Sequence, residues 1–166
     1  MILRDARPGD RARIEGFLAA LQDFERETEA LRRPGAEMAK RHLAMLEGWA
    51  ARPPAGGSLI AEIDGSPAGW LLFGCETEPG ALLPDWARTY GVLSDLWVMP
   101  EHRGQGVARA LIAEAETRLA KAGIARVEIT AIASNPRALA LYRHLGFADY
   151  CVTLGKRLSL PSGDTP

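Results

Sequence analysis

Two glycines set between arginines make the most chemically suggestive stretch of this chain, Arg103-Gly104-Gln105-Gly106-Val107-Ala108-Arg109. The residues before it, Val92-Leu-Ser-Asp-Leu-Trp-Val98, are short, mostly apolar and bounded by Gly91 and Pro100, which reads as a buried strand. After it, Ala108, Leu111, Ile112, Ala115 and Leu119 recur at helical spacing, so a helix runs to Ala122 and ends at Gly123. Strand, glycine loop and helix together make an anion site. The first helical turn carries N–H groups with no intrahelical partner, the helix dipole adds partial positive charge, and glycine lets the backbone approach a phosphate closely. Arg103 and Arg109 can add charge-assisted hydrogen bonds. The site is not an NTPase phosphate loop, because the chain has no Gly-Lys-Ser or Gly-Lys-Thr. Nor is it a dinucleotide fingerprint, since Arg109 stands where the third glycine or alanine belongs. A second chemical residue, Tyr142, lies in Asn135-Pro-Arg-Ala-Leu-Ala-Leu-Tyr-Arg-His-Leu-Gly-Phe147. By its residue types alone this is a capped helix: Asn135 as N-cap, Pro136 in the first turn, Leu141, Tyr142 and Leu145 inward, and Gly146 closing it.

The elements that must position these groups alternate in type. Ile2 to Asp5 reads as a first strand, and Arg7-Pro-Gly-Asp10 as a turn in which Asp10 is the expected N-cap. Ile14, Phe17, Leu18 and Leu21 stripe a first helix; the acidic run Asp23 to Glu29 has no clear period and either extends that helix or forms a loop. Met38, Leu43, Met45, Leu46 and Trp49 mark a second helix ending before Pro53-Pro54. Asp64-Gly-Ser-Pro67 is a hairpin turn between strands at Ser58 to Asp64 and Pro67 to Gly74, and a loop from Glu76 to Thr89 leads to the central strand. Arg126 to Ile132 alternates as a strand. Gly146-Phe147 leads into one or two last strands through Leu158, and 159–166 is expected to be a loose tail.

Length and composition narrow the classes. With 166 residues, 47% hydrophobic and 25% charged, the chain has room for one domain, 1–158, with a substantial core. A net charge of −1 with scattered Lys and Arg gives no nucleic-acid face. No apolar run approaches the ~20 residues of a membrane helix, so no membrane partner is expected. Cys75 and Cys151 sit singly in apolar settings and read as two reduced core thiols of a cytoplasmic protein. His42, His102 and His144 share no ligand spacing, so no metal is assigned.

Arg103-x-x-Gly106-x-Ala108 matches the [QR]-x-x-G-x-[GA] pattern of the GNAT superfamily of acyl-CoA-dependent N-acyltransferases. The preceding strand and the Pro-Glu-His-Arg-Gly-Gln-Gly run also look like that family. Asn-x-x-Ala-x-x-x-Tyr followed by Leu-Gly-Phe is similar to its second characteristic segment. The resemblance covers roughly Tyr90 to Tyr150. It implies an α/β (α+β) fold: a mixed, mostly antiparallel sheet of six to seven strands, about four flanking helices, and a splayed central strand pair. It implies acetyl-CoA as cosubstrate. The pyrophosphate would lie on Arg103, Gly104, Gln105, Gly106, Val107, Ala108 and Arg109, the pantetheine arm on the backbone of a bulged strand at Leu96, Trp97 and Val98, and Asn135 beside it. Tyr142 would give a proton to the departing thiolate, which a phenol of pKa ~10 can do at neutral pH.

The resemblance does not supply the base. Some members carry a glutamate where this chain has Ser94; Asp95 is its neighbour and reads either as the base or as a structural carboxylate. A water chain, or a carboxylate of the early helices or of Glu76 and Glu78, is also open. Asp23, Glu25, Glu27, Glu29, Glu76, Glu78 and Asp85, interleaved with Phe24, Trp86 and Tyr90, suit a cationic amine, or form a solvated acidic surface. Gln22-Asp-Phe-Glu-Arg-Glu27 looks somewhat like the matching region of polyamine-type acetyltransferases. The expected function is acetyl transfer from acetyl-CoA to a primary amine in a ternary complex, with Phe24, Glu25, Glu78 and Tyr90 at the acceptor. The alternatives are a protein or peptide N-acetyltransferase, or a non-catalytic acyl-CoA sensor; a nucleotide-binding regulator is disfavoured by the missing Lys-Ser/Thr. A homodimer is compatible with this reading.

Overall fold

The computed structural model describes residues 1–156 and 158; the tail expected to be loose, 159–166, lies outside them. Its elements are β1 (Ile2–Asp5), α1 (Arg11–Arg26), α2 (Gly35–Ala50), β2 (Gly57–Ile63), β3 (Ser66–Thr77), α3 (Asp85–Arg88), β4 (Thr89–Val98), α4 (Val107–Lys121), β5 (Val127–Ile129) and α5 (Pro136–His144). The strands lie side by side in chain order. β1 to β4 are antiparallel and β5 is parallel to β4. The mixed, mostly antiparallel α/β architecture is therefore present, with five strands among the described residues instead of six or seven.

Alternation along the strands divides the core between the two faces of the sheet. Leu59, Leu71, Phe73 and Leu93 pack with Leu111, Ile112, Ala115 and Leu119 of α4. Ile60, Trp70 and Leu72 pack on the opposite face with Ile14, Phe17 and Leu18 of α1 and Leu43 and Leu46 of α2. Successive strand residues point to opposite faces, so one run such as Trp70-Leu-Leu-Phe73 feeds both layers. Asp64 and Gly65, both at positive φ, make the tight turn of the β2–β3 hairpin.

Several expectations change. Asp10 does not cap α1 with its side chain. Its carboxylate takes the Arg4 guanidinium at 2.7 and 2.9 Å and the Arg7 N–H at 2.7 Å, because a bidentate charged pair outcompetes a neutral amide. The acidic run resolves as helix through Arg26, and Asp23 accepts from the Gly35 N–H at 2.7 Å, tying α1 to the start of α2. β5 is three residues long, not seven, because β4 diverges from it beyond Leu93↔Ile129. The final strands expected after Phe147 are absent among the described residues. Tyr150, Val152 and Leu154 carry the alternation but stay exposed at 69%, 78% and 90%, with no face to bury against. Cys75 is a buried thiol, whereas Cys151 is exposed rather than a core residue.

Candidate active site

The site is a gap in the sheet. β4 and β5 pair as Gly91↔Val127, Val92↔Glu128 and Leu93↔Ile129 and then separate, while β4 continues to Val98. A cavity of about 640 Å³ fills the separation, with Leu96, Trp97 and Val98 on one side and Ile129, Thr130 and Ala131 on the other. A bulge shapes the β4 wall: Leu72 faces Asp95 and Phe73 faces Leu93, leaving Ser94 without a partner on β3. One extra residue reverses the parity of the strand. Leu93 therefore shares the α4 face with Leu96 and Val98, and Trp97 lies on the α1–α2 face, in place of the regular alternation that would have grouped Leu93 with Trp97.

At one end the cavity reaches the start of α4. Gly106, at φ 81°, is its N-cap and offers no side-chain cap to the first-turn amides. A Cβ built on Gly104 or Gly106 would meet nothing within 4 Å, so the space over the loop is open. Gly104, Gly106, Val107, Ala108 and Arg109 all line the cavity. Gln105 does not; its amide donates to the Glu101 carbonyl at 2.9 Å. Arg103 lines the cavity but lies along the strand, donating from Nε to the Val98 carbonyl at 3.2 Å with its guanidinium 4.8 Å from the Trp97 ring centre. Arg109 contacts His144 Nε2 at 3.0 Å, and Arg137, His144 and His102 bring further nitrogen groups to the walls. Those three were missed in the sequence. The position of Arg137 and His144 on either side of Tyr142 in one short helix was the available signal.

α5 forms another part of the wall. Asn135 Oδ1 accepts from the Ala138 N–H at 3.1 Å, the expected cap, and its NH₂, without a partner among the described residues, belongs to a residue of the cavity wall. Tyr142 lines the cavity with its ring edge-on to Phe147 at 6.1 Å. Burial, with the nearby charge of Glu25 second, pushes its phenol up to about 12.

α1 also contributes to the wall. Leu21, Phe24 and Glu25 line it, with Phe24 edge-on to Trp97 at 6.3 Å and the Arg103 guanidinium 5.8 Å from the Phe24 ring centre. Glu25 pairs with Arg32 at 2.8 Å; burial raises its pKa against the lowering effect of Arg32, and the charge of Asp95 raises it further. Asp95 itself does not line the cavity, but Ser94 does, donating its hydroxyl to Asp95 Oδ2 at 2.6 Å. Burial raises the Asp95 pKa, opposed by Ser94, His42 and Arg32. The other two expected acceptor residues lie elsewhere. Glu78 accepts from the Gly80 N–H at 2.8 Å within the β3–β4 connection, and Tyr90 is covered by the Arg126 guanidinium at 4.1 Å. Neither lines the cavity. Among the described residues no group of three His, Cys, Asp or Glu is placed to hold a metal ion, and no helix is long and apolar enough to cross a membrane.

Residues 18–147 match the model of the Acetyltransferase (GNAT) family, a span holding every group just described. The chain belongs to that family. It is 30% identical over 101 residues to an acetyltransferase of Pectobacterium atrosepticum, a match covering 60% of this chain and 64% of that relative, so it spans less than two thirds of the relative's length. Two solved structures share the fold at lower identity. A mutant of the BH1408 protein from Bacillus halodurans is 20% identical with a TM-score of 0.79, over 96% of this chain and all of that one. An aminoglycoside N-acetyltransferase in complex with CoA is 17% identical with a TM-score of 0.67, over 96% and 100%. The splayed pair, the bulge and the open loop are the features of this GNAT domain that shape its cavity.

Proposed function

We propose that this GNAT domain moves an acetyl group from acetyl-CoA to a primary amine by direct attack within a ternary complex. One observation supports this above the others. A single cavity is lined by the first turn of α4, by both strands of the β4–β5 gap, by Tyr142 and by Phe24 and Glu25. The α4 end suits a pyrophosphate, which takes the amides of Gly106 to Arg109 and the arginine charge. The gap suits an extended arm, because the β4 edge from Ser94 to Val98 is free of β5 and offers its backbone groups to a ligand in place of a strand. The Asn135 NH₂ donates to that arm. The thioester then lies beside Tyr142.

Attack by a neutral amine forms the C–N bond and a tetrahedral oxyanion. The C–S electron pair leaves on sulfur, and the Tyr142 phenol supplies its proton. A pKa near 12 ensures that the proton is present at neutral pH. It also makes the phenol a weak acid. The burial that raises the phenol's pKa also raises the thiolate's own affinity for a proton, which offsets that weakness. Held reactants account for much of the expected acceleration, since positioning replaces a bimolecular encounter.

The acceptor in this reading is a small cationic amine held by Glu25, the one carboxylate lining the cavity among the described residues, with Phe24 beside it. Glu78 and Tyr90 lie outside the site. An amine panel with acetyl-CoA, following thiol release, tests the reading. Preferred turnover of di- and polyamines supports it. Preference for peptide N-termini replaces the small-amine acceptor, and acetyl-CoA binding without thiol release for any amine makes the domain a sensor.

A further inference from the structure

An ammonium must lose a proton before it can attack, and the proposed function leaves that proton without a destination. Resting on that reading, we infer that Ser94 and Asp95 form a two-residue relay: Ser94 Oγ receives the proton of the acceptor ammonium while passing its own to Asp95. The bulge is what makes the pair possible. In a regular strand, adjacent side chains point to opposite faces and cannot share a hydrogen bond. Here Ser94 has no partner on β3, faces the cavity, and still reaches Asp95 Oδ2 at 2.6 Å.

Asp95 has no other visible occupation. It joins no ion pair, and the Ser94 hydroxyl is its sole side-chain hydrogen bond among the described residues, so it caps no backbone group. Glu25 is the competing base. Its carboxylate is already paired with Arg32 at 2.8 Å, and that positive charge opposes its taking up a proton. The ionisable groups facing Asp95 are Glu25 from α1, Arg32 from the α1–α2 connection and His42 from α2. Burial holds Asp95 above the ordinary carboxylate range, which brings its affinity for a proton closer to that of an amine.

The proton count closes. R–NH₃⁺ gives one proton to Ser94 Oγ as Ser94 gives its own to Asp95 Oδ2, leaving a neutral amine, a serine hydroxyl and a carboxylic acid. The amine attacks the thioester carbon, and the C–S bond breaks with its electron pair on sulfur, which takes the Tyr142 proton. The surplus proton on the new amide nitrogen restores Tyr142, and Asp95 releases its proton to solvent. One amide, one thiol and one proton result.

The test compares pH profiles of kcat/KM for the parent protein and for Ser94→Ala, Asp95→Asn and Glu25→Gln, with an amine the parent accepts and with acetyl-CoA affinity measured by calorimetry. Ser94→Ala and Asp95→Asn are each expected to lower kcat by ~10²-fold or more, as loss of a general base does. Their double variant is expected to be little worse than either, because the two act as a unit. Acetyl-CoA affinity is expected to stay near that of the parent. Activity of both variants should climb with pH toward the amine's own pKa, where solvent has already removed the proton. Rates within about threefold of the parent, with the same acid limb, overturn the relay. Loss of the acid limb in Glu25→Gln alone also overturns it, in favour of Glu25. A parent that releases no thiol with any amine overturns the proposed function and the relay together. A turning-over parent with unaffected variants overturns the relay only.

Discussion

The two ends of the sheet are built on opposite plans. At the β1–β2–β3 end every strand is paired along its length, both faces are covered, and Arg4 ties Asp10 and Glu62 across the edge at 2.7 Å each. At the β4–β5 end pairing stops after three residues, α5 has no fully buried residue, and strand edge, helix start and phenol are left facing one cavity. The first end holds the fold, and the second leaves strand-edge and side-chain groups facing the cavity, where the proposed function puts its ligands. Substitutions at the open end should therefore strike binding and turnover with little effect on stability, and those at the closed end the reverse.

The largest expected effect is Gly106→Asp. The residue sits at φ 81°, where a side chain costs ~1–2 kcal/mol, and a carboxylate would stand at the helix start, where the proposed function puts the pyrophosphate. Acetyl-CoA binding should be lost in calorimetry while the thermal transition moves by only a few degrees. Binding like that of the parent would put the cosubstrate elsewhere and end the distinction between the two ends.

Tyr142→Phe comes next. Its ring retains the contact with Phe147, so the fold and acetyl-CoA affinity should persist while kcat falls by ~10²–10⁴-fold. Unchanged turnover, under conditions where chemistry limits the rate, would make Tyr142 a packing residue. A smaller effect is expected of Glu25→Gln, which should raise KM for a diamine by roughly threefold to tenfold and for a neutral-tailed amine much less. Glu78→Gln should change neither, since Glu78 serves its own loop. Salt should weaken diamine activity only modestly, because Glu25 is partly buried and such a charge is screened less than an exposed one. Equal responses of the two glutamate variants would return both to the solvated surface.

What could be read before the fold was known follows the same division by range. The α4 start and α5 are local: glycine at positive φ, Asn135 as cap and Pro136 behind it are written in neighbouring residues. The gap could be anticipated only through the family resemblance, since β4 and β5 meet across the whole length of α4. The bulge was readable as a mismatch of faces, but not its position at Ser94, which depends on the register with β3. Glu25 and Glu78 looked alike as acidic residues beside aromatics. Continuation of α1 to Arg26 carries the first into the cavity, and the β3–β4 connection keeps the second away. The strands expected after Phe147 illustrate the converse: Tyr150, Val152 and Leu154 have the local pattern, and alternation alone does not provide an edge to join.

The smallest effect tests the closed end by itself. Asp10 accepts two bonds from the Arg4 guanidinium and one from the Arg7 N–H, and the Arg4 bonds above all lower its pKa to about 2 from 3.8. A carboxylate whose pKa is depressed on folding contributes stability that is fully present above its unfolded value and is lost as pH falls through the folded one. Its share should therefore be constant at neutral pH and disappear between about pH 4 and pH 2. Asp10→Asn can still accept from Arg7 but loses the charged pair, at a cost of about 1 kcal/mol near pH 7, since the pair is partly exposed. Denaturant titrations of parent and variant should differ at pH 7 and converge toward pH 2, with kcat, KM and acetyl-CoA affinity at pH 7 the same in both. An activity change as large as the stability change would mean that the two ends of the sheet are mechanically coupled. A constant stability difference down to pH 2 would mean that the Arg4–Asp10 charge pair is not what holds the edge.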